Sequence, residues 1–446
     1  MTGERTGLRE EARSPFPLPL APFEHYMLED DRDSHPMCLW VGLTFSKRLD
    51  VDRLCRAISL VQARHPLLHA LVRGRLGGRT RDLAWVAAQQ PAPPLIQCDR
   101  PPSREQIISR IDLAREVGLR LFLSPAAKGS RLIIQVHHAC ADGRGTLRFL
   151  EEVLAAYQYP GESAPRLRTR DIVQLSGRHL YPVGWKRVMR LPMEAWRTAI
   201  FFARKPAALA PTATHPSRNL APHRPPYQTC RLDQALLSGL KQSARSRNAT
   251  VNDLLVRDGF RCLGDHRANS LAPKDWIRIA VPVDLRGHKA DAPTVANATS
   301  MLFLDRRASD CGDPGRLLGS VHQEISRLRR RGLTLTLLSS LGLLGSAPGA
   351  VRLVLQTGRS QTTAVVSNLG VTFSRQTAAK RLGLEQVDFV PPIRPGTHAA
   401  FGIVSYADSL SISLLSDPRV FSSEQQRALL ELYCKTVRAT AQAIDG

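Results

Sequence analysis

Two histidines stand side by side, His137 and His138, within the stretch QVHHACADGRG at residues 135–145. Asp142 and Gly143 follow four and five residues after the second histidine. Three chemistries draw on such residues. A metal site would need both imidazoles to face one ion, but adjacent side chains at a strand exit point to opposite faces. Asp142 offers one further ligand and the rest would have to come from elsewhere, so no metal is expected here. Nucleophilic catalysis would pair the Cys140 thiol with an imidazole within hydrogen-bond reach, yet small cysteines are more often simply buried. General base catalysis accounts for more of the stretch. One imidazole titrating near neutrality takes a proton from a hydroxyl or an amine, while its neighbour faces inward as structure. Asp142 then needs a cation if it is buried. Gly143 lets the backbone turn or approach a neighbour closely.

The flanking pattern supplies the elements that would hold this stretch. Residues 131–138 read as a strand delivering the histidines at its exit. Leu147, Leu150, Val153, Leu154 and Tyr157 then recur at helical spacing. Earlier, residues 37–46 read as a strand and 50–65 as a helix capped by Asp50 or Asp52. Pro66 ends that helix, and "LLHALVR" and "GLRLFLS" read as strands. A second block has strands at 226–232, 276–286, 297–305, 362–370, 397–406 and 409–415. Its helices fall at 233–248, 250–266 (capped by Thr250), about 311–331, 347–357 and 422–444. The apolar run at 333–345 is too short to span a bilayer and reads as a buried or surface-dipping helix.

Between the blocks the composition changes. Residues 160–230 carry twelve Lys and Arg against three Asp and Glu, so this stretch is strongly basic. Trp185, Trp196, Phe201 and Phe202 lie among the basic residues, as in an interfacial amphipathic helix. Pro192 interrupts the pattern and favours packing on the protein's own second lobe. The expected organisation is therefore residues 1–165, a basic crossover at 166–225, and 226–446.

A chain of 446 residues suits two lobes rather than one core. A hydrophobic share of 43% and a charged share of 23% are those of a globular protein. The eight cysteines show no C-x-x-C spacing, and their scatter suits a reducing compartment. The polar start of the chain has no signal-peptide core, and no apolar run is long enough to span a membrane. A net charge of +23 attracts polyanions. Aromatics at 6% leave few base-stacking platforms, which disfavours nucleic acid as the partner. No P-loop and no G-x-G-x-x-G pattern is present.

The stretch "HHACADG" resembles the HHxxxDG signature of the condensation-domain superfamily, which includes peptide-synthetase condensation domains, polyketide-associated acyltransferases, wax ester synthases, alcohol acetyltransferases and the BAHD acyltransferases. Other stretches are similar to motifs of that superfamily: "ARHPLLHALV" (63–72), "IDLAREVGLRLFL" (111–123), "VNDLLV" (251–256), "VPVDLRG" (281–287), "SNLG" (367–370) and the closing "FGIVSYADSLSISLLSDPRVFS" (401–422). The resemblance covers about residues 18 to 442. Two departures matter. His69 stands where condensation domains usually carry arginine, and "VDFVPP" (387–392) replaces the BAHD "DFGWG".

The resemblance implies a mixed α/β protein with two chloramphenicol-acetyltransferase-like lobes, a pseudo-dimer around a central tunnel. It makes His138 the base, His137 its structural neighbour, Asp142 the anchor of the loop and Arg286 the partner of Asp142, with Gly143 in support. Ser367 and Asn368 are the candidate oxyanion or cleft residues. It implies no permanently bound cofactor and no metal, with acyl-CoA or an acyl-phosphopantetheine thioester as co-substrate and an alcohol or amine, lipids included, as acceptor. An acyl carrier protein is a candidate partner, and Arg327, Arg329, Arg330 and Arg331 are candidate contacts for a polyanionic donor. The expected address is the cytoplasm, with peripheral contact at the inner face of a membrane as a further candidate. The alternative is a relative that keeps the fold and its ligands but has lost turnover.

Overall fold

The computed structural model describes residues 14–89, 94–159, 169–178, 191–209, 227–266, 271–286, 295–356, 361–373 and 377–443. Two main sheets form the framework, and most of their central strands are buried on both faces. The first has five strands in the order Leu384–Val390, Cys38–Phe45, Ser130–His137, Leu119–Pro125 and Leu95–Gln97, antiparallel except for the last pair. The second has six, in the order Thr299–Arg307, Trp276–Asp284, Ala364–Val371, Ala399–Tyr406, Ser409–Ser416 and Tyr227–Leu232. Ala364–Val371 runs parallel to both of its neighbours, so the sheet is mixed. The architecture is the expected α/β arrangement of two lobes.

Helices cover one face of each sheet. Val51–Gln62 and Gly143–Gln158 pack together in the first lobe; Gln234–Ser246, Val251–His266 and Ser423–Gln442 pack together in the second. Their starts follow from local chemistry. Asp50 accepts the Arg53 N–H at 2.7 Å, and Thr250 and Asp253 cap each other reciprocally. One expected strand is shorter than its sequence suggests. Pro66 fixes φ and starts a 3₁₀ turn, Pro66–His69, so only Ala70–Arg73 is extended.

One strand crosses between the halves. Leu384–Val390 comes from late in the chain yet pairs antiparallel with Cys38–Phe45, with Val387 opposite Leu43. Gly402 makes room for it: a Cβ there would lie 2.0 Å from the Phe389 carbonyl oxygen. Arg131 ties the same strand down through Asp388 at 3.0 Å and also reaches the Tyr227 hydroxyl at 3.2 Å. The segment after it therefore emerges between the lobes.

In the crossover, Leu191–Ala203 is a helix with Pro192 in its first turn, where proline is tolerated. Phe201 packs on Phe303 of the second sheet at 4.7 Å, as packing on the second lobe requires, while Trp196 stays 66% exposed. Trp185 lies outside the described residues. The run 333–345 forms a 3₁₀ turn and the helix Thr336–Leu344, with Leu341 buried and Leu343 exposed. Among the described residues, no helix is long and apolar enough to cross a membrane.

Candidate active site

His137 ends its strand and His138 opens the turn that follows, so the two imidazoles part. His137 is fully buried; its Nδ1 accepts the Ala139 N–H at 3.1 Å, and its Nε2 lies 3.4 Å from Asp31 Oδ2. Asp31 in turn accepts the Met37 N–H and pairs with Arg110. Burial pushes the Asp31 carboxyl up, but its contacts with His137, Met37 and Arg110 outweigh this and hold it below the usual carboxylate range. His137 thus belongs to a packed polar cluster behind the sheet.

His138 faces the other way, into the wall of a cavity of about 1190 Å³. Both halves of the chain line the cavity: Phe23, Tyr26 and Met37 from the first, Met301, Leu369 and Ile393 from the second. The Phe23 ring stands edge-on to the His138 imidazole, centroids 6.1 Å apart. Nδ1 of His138 is buried without a well-aligned partner among the described residues. Burial is the largest influence on this imidazole and carries its pKa below the ordinary histidine value. Its own carbonyl and the Asp142 charge pull the other way without reversing the shift.

Asp142 is buried and fully partnered. It caps Gly143–Gln158 by accepting the Gly145 N–H at 2.8 Å. Nη2 of Arg286 donates to both carboxylate oxygens at 2.9 Å, and the Ala298 N–H donates at 2.8 Å. Arg286 also donates to the Ala296 carbonyl. The aspartate therefore binds the start of a first-lobe helix to a second-lobe arginine and main chain. Gly143 serves close approach: a Cβ there would lie 2.8 Å from Leu369 Cδ2 and 3.1 Å from Phe389 Cε2.

Ser367 and Asn368 lie on the strand Ala364–Val371, and both line the cavity. Asn368 Oδ1 accepts the Gly370 N–H at 2.9 Å, which leaves the Nδ2 donor for another partner. Cys140 is buried, burial pushes its thiol well up, and it is absent from the cavity wall; its sulfur packs against Gly118. His69 bonds the Gln62 carbonyl instead of reaching Asp142, whose cation is Arg286. Arg327, Arg329, Arg330 and Arg331 are exposed at the end of Pro314–Arg330, where cations suit the helix dipole, and none lines the cavity.

Two residues outside the sequence-based set complete the geometry. Asn297 Nδ2 donates to the carbonyls of His138 at 2.6 Å and Ala139 at 2.9 Å, so the second lobe grips the turn itself. His65 accepts the Val295 N–H at 3.1 Å and meets Glu152 at 3.1 Å. The only signal for His65 is its place in "ARHPLLHALV"; Asn297 stands in "VANATSMLF" with nothing to mark it. Together they hold the His138 turn and the adjoining main chain in place, with the imidazole, its pKa lowered by burial, facing a large, mostly apolar space. Such a group can accept a proton from a hydroxyl or amine brought to it.

Residues 295–429 match the WS/DGAT C-terminal domain. Two uncharacterized proteins of Mycobacterium tuberculosis, from strains CDC 1551 / Oshkosh and H37Rv, are each 25% identical over 305 residues, covering 66% of this chain and 68% of theirs. Among solved structures, the first condensation domain of the calcium-dependent antibiotic synthetase superposes with a TM-score of 0.68 at 17% identity, over 95% of this chain and 96% of that one. The epimerization domain from the third module of tyrocidine synthetase B gives 0.66 at 15% identity, covering 96% of each chain. Polyketide synthase associated protein 5 from Mycobacterium tuberculosis gives 0.64 at 16%, over 96% of this chain and 99% of that one. The chain thus has the two-lobed fold of the condensation domains, and its residues 295–429 are similar to the WS/DGAT C-terminal domain.

Proposed function

We propose that this protein transfers an acyl group from a thioester to an alcohol or amine, with His138 as general base. The observation that carries this reading is the position of His138 in the wall of a cavity shared by both lobes, where burial lowers its pKa. In the proposed step His138 takes the proton of the acceptor's O–H or N–H as the acceptor attacks the thioester carbonyl. The tetrahedral intermediate needs a donor for its oxyanion, and Asn368 and Ser367 are the candidates on the cavity wall. Collapse expels the thiolate, which recovers the proton from His138. Asp142, held by Arg286, fixes the loop; His137 is structural.

The donor in this reading is acyl-CoA or an acyl-phosphopantetheine on a carrier protein, and no cofactor is permanently bound. The carrier option is supported by relatives whose names place them in antibiotic synthetases and beside a polyketide synthase. A lipidic acceptor is supported by the apolar lining, in which Phe202 and Leu343 are also 60% and 76% exposed. Peripheral contact with a membrane fits the same residues.

The test is thiol release from a panel of acyl-CoA and acyl-carrier donors with alcohol and amine acceptors. His138→Ala is expected to lower kcat by about 10²–10⁴-fold. Turnover equal to wild type in that variant would remove His138 as the base. Donor binding without any thiol release would favour a binding protein over an enzyme.

A further inference from the structure

Away from the cavity, a strand and a helix of the second lobe bring two thiols and a guanidinium together. Cys230 lies on Tyr227–Leu232, the edge strand of the six-stranded sheet, and is partly exposed. The last helix, Ser423–Gln442, packs over that strand. Cys434 and Arg438 are four residues apart on this helix and so share a face. Arg438 Nη2 lies 3.3 Å from Cys230 Sγ, and the buried Cys434 thiol contacts the same sulfur. A partly exposed sulfur, a cation beside it and a second thiol behind it are the parts of a peroxide-sensitive cysteine pair.

We propose that Cys230 and Cys434 form an oxidisable pair that closes to a disulfide on reaction with a peroxide. The hydrogen bond from Cys434 and the charge of Arg438 outweigh burial and favour the Cys230 thiolate, whereas the Cys434 thiol is pushed up. The Cys230 thiolate attacks a peroxide oxygen: an S–O bond forms, the O–O bond breaks, and the leaving hydroxide takes a proton. Cys434 then attacks the sulfenic sulfur, forming the S–S bond, and the oxygen departs as water with the Cys434 proton. Each sulfur gives up one electron and the peroxide gains two. The other partly exposed thiols, Cys55 and Cys98, are pushed up by burial first and then by neighbouring aspartates, so they serve as internal controls.

The experiment treats the full chain with hydrogen peroxide, blocks remaining thiols, and maps peptides by mass spectrometry. A Cys230–Cys434 linked peptide, two hydrogens lighter than its separate halves and split again by dithiothreitol, is the expected result. Cys434→Ser should trap a sulfenic acid on Cys230 that dimedone captures. Cys230→Ser should leave Cys434 reduced. Recovery of both wild-type cysteines as separate alkylated peptides would overturn the proposal. So would oxidation of Cys55 or Cys98 ahead of Cys230. No outcome depends on acyl transfer.

Discussion

At His138 burial and charge oppose each other, and burial prevails. The sign of the pH effect follows. A base works only when unprotonated, and a lowered pKa keeps it unprotonated in solutions where an ordinary histidine, near 6.5, would be half charged. The acid limb of kcat/KM is therefore expected below that value, with activity flat from there through neutrality. A pH–rate profile of the thiol-release reaction checks this, and a limb at or above the ordinary value would mean that burial does not control the base. Part of this arrangement was legible in the sequence. The pair HH at a strand exit requires two faces, and the structure has two: Asp31 behind, the cavity in front. Asn297 was not legible, because its role lies in two hydrogen bonds to main-chain carbonyls some 160 positions away, and no periodicity encodes such contacts.

At the scale of elements, the helix Gly143–Gln158 is positioned by the absence of a side chain at its first residue. Leu369 and Phe389 occupy the space a Cβ would need. Gly143→Val should therefore destabilise the protein by about 1–3 kcal/mol through overpacking. Gly319→Ala, in the helix Pro314–Arg330 with nothing within 4 Å of the added carbon, should stabilise it by up to ~1 kcal/mol. Urea midpoints measure both, and equal behaviour of the two variants would refute the packing argument. Most elements were readable from period and caps, the helices from Asp50 and Thr250 included. The strand Leu384–Val390 was not, since its partner Cys38–Phe45 lies more than 300 residues earlier and pairing at that distance leaves no local trace.

On the scale of the whole molecule, the cavity exists only while the two halves keep their relative placement. The exchanged strand fixes one side. The other is fixed where Arg286 and the Ala298 N–H meet Asp142. Arg286→Met would leave a buried carboxylate with main-chain donors but no cation, at a cost of about 3–5 kcal/mol. Asp142→Asn would keep a capping oxygen for Gly145 while leaving the largely buried guanidinium with Asp284 in place of two carboxylates. Because each variant is penalised for the charge it leaves behind, removing both should cost less than the sum. The expected coupling is about 0.5–3 kcal/mol in a double-mutant cycle read by denaturant unfolding. Strict additivity would mean that Asp142 and Arg286 act separately, and the juncture would then rest on the exchanged strand and on the grip of Asn297 on the His138 turn.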